Sequence, residues 1–165
     1  MRICFLVGLL AVAVASASGC KREAPVNGIG GFEIDKTQLG SLSGRCIDAS
    51  EEPLMLCPSI ASVMLGEQRA NIDLYFGGKE ADDTLVEILL DVGGCRPEAL
   101  EAFLSERLGE PVARTESRVL WQNDYILMSA AVPAGPSRCE VNFVSIHDRE
   151  RVQRLGGTPP ETAAE

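Results

Sequence analysis

The stretch 71–108, NIDLYFGGKEADDTLVEILLDVGGCRPEALEAFLSERL, decides the fold. Its first six residues alternate, with Ile72, Leu74 and Phe76 on one side and Asp73 and Tyr75 on the other, which is the period of a half-buried strand. Residues 77–84, GGKEADDT, open on glycine and carry four charged side chains, so they read as a loop. Alternation resumes over 85–92, where Val86, Ile88, Leu90 and Val92 share a face and Glu87 and Asp91 share the other; the two strands are expected to pair as an antiparallel hairpin. Gly93 and Gly94 then turn the chain into a segment of helical period. Pro97 stands where a first turn tolerates it, Glu98 and Glu101 complement the positive N-terminal end, and Arg107 faces the negative C-terminal end. Leu100, Phe103, Leu104 and Leu108 make one apolar stripe, Gly109 supplies the cap and Pro111 prevents continuation.

Downstream the period returns to two. Residues 118–121 read as a short strand, 122–124 as a tight turn, and 125–132 as a strand with Ile126, Met128, Ala130 and Val132 on one face. Residues 133–137, PAGPS, turn the chain again. Over 139–146, Cys139, Val141 and Phe143 point inward and Glu140 and Asn142 outward. Residues 147–155 read as a short terminal helix, and 156–165, GGTPPETAAE, as a disordered tail with nothing to bury.

Upstream the pattern is weaker. Phe32, Ile34, Leu39 and Leu42 offer one or two short strands, broken by Gly40 and Gly44. In 58–65, Pro58 followed by Ile60, Val63 and Met64 predicts a short helix stopped by Gly66, with the alternation of Ala61, Val63 and Leu65 as the strand alternative. The expected fold is therefore α+β: a single antiparallel sheet of about five strands, order ββαβββ, with one main amphipathic helix packed on one face and an irregular region before it. This domain covers 32–155.

The chain of 165 residues begins MRICFLVGLLAVAVASASGC. Arg2 precedes a 13-residue apolar run, too short for a bilayer span but suited to the core of an export signal. Ala17-Ser18-Gly19-Cys20 resembles the lipobox of bacterial lipoprotein precursors, with Ala17 where that family prefers Leu. The resemblance implies removal of 1–19, fatty acylation of Cys20 (palmitate among the acyl groups) and attachment to a membrane of the bacterial cell envelope. Ordinary signal-peptidase cleavage after Ala15-Ser16-Ala17 is the alternative. Residues 20–31 would then be the lipidated Cys and a Gly- and Pro-containing tether. Lys21 is not the Asp that retains some family members at the inner membrane, which favours the outer membrane, facing the periplasm or the cell surface.

Cysteine arithmetic bears on the choice. Cys4 lies in the removed segment under either reading, leaving Cys20, Cys46, Cys57, Cys95 and Cys139. Lipid on Cys20 leaves four thiols for two disulfides; ordinary cleavage leaves one orphan in an oxidising compartment. Four cysteines permit three pairings, of which proximity and topology favour Cys46 with Cys57 and Cys95 with Cys139. A metal or redox role is disfavoured, because there is no Cys-x-x-Cys and only one His.

Chemistry is sparse. After removal of 1–19 the chain holds 14 basic and 24 acidic side chains, a formal charge of −10. Such a chain is repelled by phosphate backbones and anionic head groups, so nucleic acid is not an expected partner and lipid, not charge, would hold the protein to a membrane. His147 beside Asp148 would need a Ser in space to make a hydrolase, yet neither G-x-S-x-G nor S-x-x-K is present. Glu80, Asp82 and Asp83 lack the spacing of a calcium loop. Trp121 and Tyr125, across a tight turn, are candidates for an interaction surface, though core burial is the favoured role for Trp121 because it shares a strand face with Val119. No catalytic residue, metal or cofactor is expected. The expected function is that of a lipid-anchored, disulfide-stabilised, non-enzymatic envelope protein acting on another, unknown envelope protein. A periplasmic binding module for a small ligand or peptide, with Trp121, Tyr75 and Tyr125 around a pocket, is the alternative.

Overall fold

The structure, a computed structural model, describes residues 26–49, 54–135 and 138–159. It is mostly β. Among the described residues ten strands and two α-helices, with a 3-10 turn at Leu39–Ser41 after β2, run in the order β1 (Gly28–Ile29), β2 (Phe32–Glu33), β3 (Ile47–Asp48), β4 (Met55–Leu65), β5 (Gln68–Phe76), β6 (Leu85–Gly93), α1 (Pro97–Leu108), β7 (Ala113–Arg114), β8 (Arg118–Gln122), β9 (Ile126–Gly135), β10 (Arg138–Ser145) and α2 (Arg149–Arg154). Strands β3 to β10 form one antiparallel sheet in the spatial order β3-β4-β5-β6-β10-β9-β8-β7, and β1 and β2 pair separately. The last strand in sequence is thus a central one in space, bound to β6 on one side and β9 on the other.

The expectation of a single sheet of about five strands with a main helix is corrected by this topology. The five expected strands are present as β5, β6, β8, β9 and β10, and α1 covers the residues the sequence pattern marked. What enlarges the sheet is β4, where a helix was expected over 58–65. Pro58 does not open a helix there; it sits in a strand whose register with β5 shifts between Cys57 and Ala61, with Ser59 at a φ of 49°. Pro58 falls in the gap of the β5 register and past Leu56, the last residue paired to β3, so its missing N–H interrupts no ladder. Strands β3 and β7, two residues each, are too short to carry a period. A second irregularity corrects the face expected for Val86: the register shifts between Tyr75 and Phe76, so Leu85 joins Ile88, Leu90 and Val92 in the core.

Residues 26–31, expected to be tether, contain β1 and place Val26 and Ile29 against the core. At the other end, Gly156 and Gly157 donate backbone bonds to Gln153 and Val152, so the tail begins as an extension of α2. Residues 1–25, 50–53, 136–137 and 160–165 lie outside the described residues, and with them the expected signal segment, Cys20 and most of the tail.

One face of the sheet is the main core. Ile72, Leu74 and Phe76 of β5, Ile88 and Leu90 of β6, Val141 and Phe143 of β10, and Met128 of β9 are buried there under Leu100 and Leu104 of α1. Burial of each large side chain contributes about 1.5–3 kcal/mol. Two disulfides brace the body: Cys46–Cys57 closes the β3–β4 hairpin, and Cys95–Cys139 ties the approach to α1 to the start of β10. On the chain-entropy model they stabilise by about 3 and about 4 kcal/mol.

Candidate functional site

Among the described residues the opposite face of the sheet is covered by α2, chiefly over β8, β9 and β10. There α2 lays Val152 and Leu155 on Leu120, Leu127, Val144 and Ile146. Asp148 caps this helix, accepting from the backbone N–H of Arg151 at 3.1 Å. Where α2 ends, a cleft of about 470 Å³ opens between it and the β3–β4 hairpin. Tyr75, Glu87, Leu89, Glu140 and Asn142 form its floor, Arg154 and Leu155 one wall, Leu54 and Leu56 another, and Arg118 lies along the side.

Strand register places these residues in rows. Leu56, Tyr75, Glu87 and Val144 lie side by side across β4, β5, β6 and β10. The adjacent row is Asp73, Leu89, Asn142, Ser129 and Leu120, and the next runs from Asp91 through Glu140 and Ala131 to Arg118. Glu87 is the best buried of the described acidic residues, 4% exposed. Its two oxygens are divided: Oε1 accepts from Asn142 Nδ2 at 2.9 Å, Oε2 from Arg154 Nη2 at 2.5 Å, and Arg151 Nε stands 3.4 Å from Oε2. Arg151 is also paired to Asp148. A buried carboxylate is tolerated only with such partners. Both arginines come from α2, so this one side chain of β6 anchors the helix to the sheet.

Other polar groups of the cleft keep bonding capacity. Arg118 gives one N–H to the buried Ser129 Oγ at 2.9 Å, and a guanidinium has five. Burial, reinforced by the negative charges of Glu87 and Asp73, pushes the Tyr75 phenol up from its ordinary value, so it stays protonated and able to donate. The cleft therefore offers cationic, anionic and hydroxyl groups beside an aliphatic wall, in a volume within the range of small-ligand sites, about 300–1,000 Å³.

The expected site residues fall elsewhere. Trp121 is buried on the core face, where its Nε1 donates to the carbonyl of Gly109 at 3.1 Å, so it has no surface to offer. Tyr125 is 51% exposed at the β8–β9 turn, and Tyr75 stands on the other face; the three aromatics do not surround one pocket. His147 is exposed just before α2 and does not line the cleft; the serine beside it, Ser145, accepts from the His147 backbone N–H at 3.3 Å and donates to Asp35. The Glu80–Asp83 turn is closed on itself, the Glu80 N–H donating to Asp83 Oδ2 at 2.7 Å. Among the described residues no group of three or more His, Cys, Asp or Glu side chains could hold a metal ion, and no helix is long and apolar enough to cross a membrane.

Glu87 and Asn142 were assigned to a solvent-facing side and are instead nearly covered. The available signal was Val152 and Leu155, three apart in the terminal helix: an apolar pair there needs a partner, and the main core was already covered by α1. No protein-family model matches the chain, and neither the curated proteins nor the solved structures compared with it include a match.

Proposed function

We propose that this is a lipid-anchored, disulfide-braced envelope protein that works by contact with another protein rather than by catalysis. One observation carries the reading: the two disulfides use Cys46, Cys57, Cys95 and Cys139 with one another, so that in a chain processed at Gly19-Cys20 the sulfur of Cys20 is the one left for lipid. Oxidised pairs on this scale belong to compartments outside the cytoplasm. Absence of Asp after Cys20 favours the outer membrane. The test is mass spectrometry of the mature N-terminus, with Cys20→Ala fractionated beside the wild type. A diacylated Cys20 and release of the variant from membranes are expected; a product starting at Ser18 with a free thiol at position 20 would overturn the reading.

The cleft favours a second reading, a binding module for a small ligand or short peptide, because unspent donors of Arg118 and Tyr75 converge with Glu140 beside Leu54 and Leu56. Thermal-shift titration of the full chain with short peptides checks it. A shift abolished by Arg118→Ala supports this reading, and no shift with any peptide removes it.

A further inference from the structure

The two edges of the eight-stranded sheet are finished differently. At one edge β7 has only two residues, with Arg114 paired to Glu101 of α1 and backbone turns at Val112 and Thr115 closing onto β8. A short, charged edge of that kind resists pairing with another strand. At the other edge β4 runs for eleven residues, MLCPSIASVML, none of them charged. Strand β3 covers only Met55 and Leu56, and among the described residues no backbone hydrogen bond other than those to β5 reaches 60–65.

Hairpin geometry says which groups are left open. Gly66, at a φ of 63°, and Glu67 form the two-residue loop between Leu65 and Gln68, as a type II′ turn requires. The closing pair of such a hairpin exchanges hydrogen bonds, so bonded pairs recur at Val63 with Ala70 and Ala61 with Ile72. Ser62 and Met64 therefore aim their N–H and C=O groups away from β5. Both side chains are exposed, Met64 to 55%. Beside them a groove of about 700 Å³ runs between the β1–β2 hairpin and α1, walled by Val63, Met64, Phe103, Leu108 and Val26. Arg107 stacks on the Phe103 ring at its rim, 4.6 Å from the centroid.

We propose that the β4 edge is closed by the β4 edge of a second copy, in antiparallel pairing about a two-fold axis at Val63, which joins two sheets into one. Pairing Ser62 with Met64 of the partner subunit, and the converse, satisfies the outward groups of both copies and sets Val63 against its own equivalent over the groove. The charge pattern selects this occupant. Near a two-fold axis every charged side chain meets itself; β4 carries no charge, and the charge next to it, Arg69 of β5, stands opposite Met64 and donates to Ser62 Oγ at 2.9 Å, so no charged side chain of the pairing strand is set directly against its own equivalent. This inference deepens the contact reading and rests on it: Val26, where the described chain starts, lines the same groove, so anchors at Cys20 would hold two copies on one surface and raise their effective concentration.

The test uses the full lipidated chain in detergent, its protein mass measured by light scattering, with a photoreactive residue at Arg69 for crosslinking in intact cells. The wild type is expected as a dimer. Met64→Lys adds a charge at the axis, and Ser62→Pro removes an outward N–H where an edge strand tolerates proline; each is expected to weaken association by about tenfold or more. Val112→Lys, at the opposite edge, should leave the dimer intact. Crosslinks to the same chain support the proposal. A monomeric wild type, or a dimer indifferent to both Met64→Lys and Ser62→Pro, overturns it. Crosslinks to a different protein overturn the second copy while the contact reading stands, and no crosslink to any protein removes both.

Discussion

The sheet divides the molecule into two cores that obey different rules. On the α1 face, Ile72, Leu74, Ile88, Leu90, Val141 and Phe143 contribute by apolar area alone, and Cys95–Cys139 links the helix approach to the central strand. On the α2 face a six-residue helix would bury too little to stay put, and its attachment depends on one buried carboxylate and two arginines around the small cluster of Leu120, Leu127, Val144 and Val152. The first face tolerates no loss of volume. The second depends on charge balance, because the buried Glu87 carboxylate is tolerated only with its Asn142 and arginine partners.

Phe143→Ala, which opens a cavity in the apolar face, should be the costliest single change, about 3–5 kcal/mol by denaturant unfolding under oxidising conditions. Replacing Cys95 and Cys139 together by Ala should cost about 4 kcal/mol on the chain-entropy model, with unfolding still cooperative. Glu87→Gln keeps the shape and the Asn142 bond but removes the charge facing Arg151 and Arg154; a loss of about 1–3 kcal/mol is expected. Its signature sharpens the comparison: amide exchange should accelerate first over 149–154 while the strands under α1 keep their protection. If 149–154 and the α1 face lose protection together, the two cores are one unit and the distinction fails. The smallest effect belongs to Arg114→Ala, which removes an exposed pair. The Arg114 hydrogen bond holds the Glu101 carboxyl below its ordinary value. That contribution is present above the unfolded carboxylate pKa, about 4.3, and is lost as pH falls through the lower folded value, so wild type and variant should converge in acid.

These two cores were unequally legible in the sequence. Regular alternation in 71–76 and 126–130, and the stripe of α1, announced the apolar face because many residues repeat one choice. Irregularities at 58–60 and 85–86 hid from the same method: in β4 two extra residues confine the regular alternation to 61–65, so that Ile60, Val63 and Met64 read as helical, and in β6 one extra residue reverses the phase, which is why Val86 was placed with the wrong neighbours. The cleft was illegible for a different reason. Glu87, Asn142, Arg118 and Arg154 come from four separated segments, each unremarkable as a polar residue of a strand or a short helix, and only the pairing of β10 with β6 brings them together. The favoured disulfide pairing, by contrast, is the one observed, since it follows from which elements are neighbours.

The place of β10 has a bearing on how the chain can be made. Synthesis delivers residues in order, so β4, β5 and β6 arrive as one ribbon and β7, β8 and β9 as another, and the strand that joins them arrives last. Until Ser145 has emerged, β6 and β9 each carry a naked ladder of donors and acceptors, with Ile88, Leu90 and Met128 uncovered beside them. A stop codon ahead of Arg138 should therefore yield not a smaller functional protein but two sticky half-sheets, and a nascent chain of this kind needs shelter until nearly its whole length has been made.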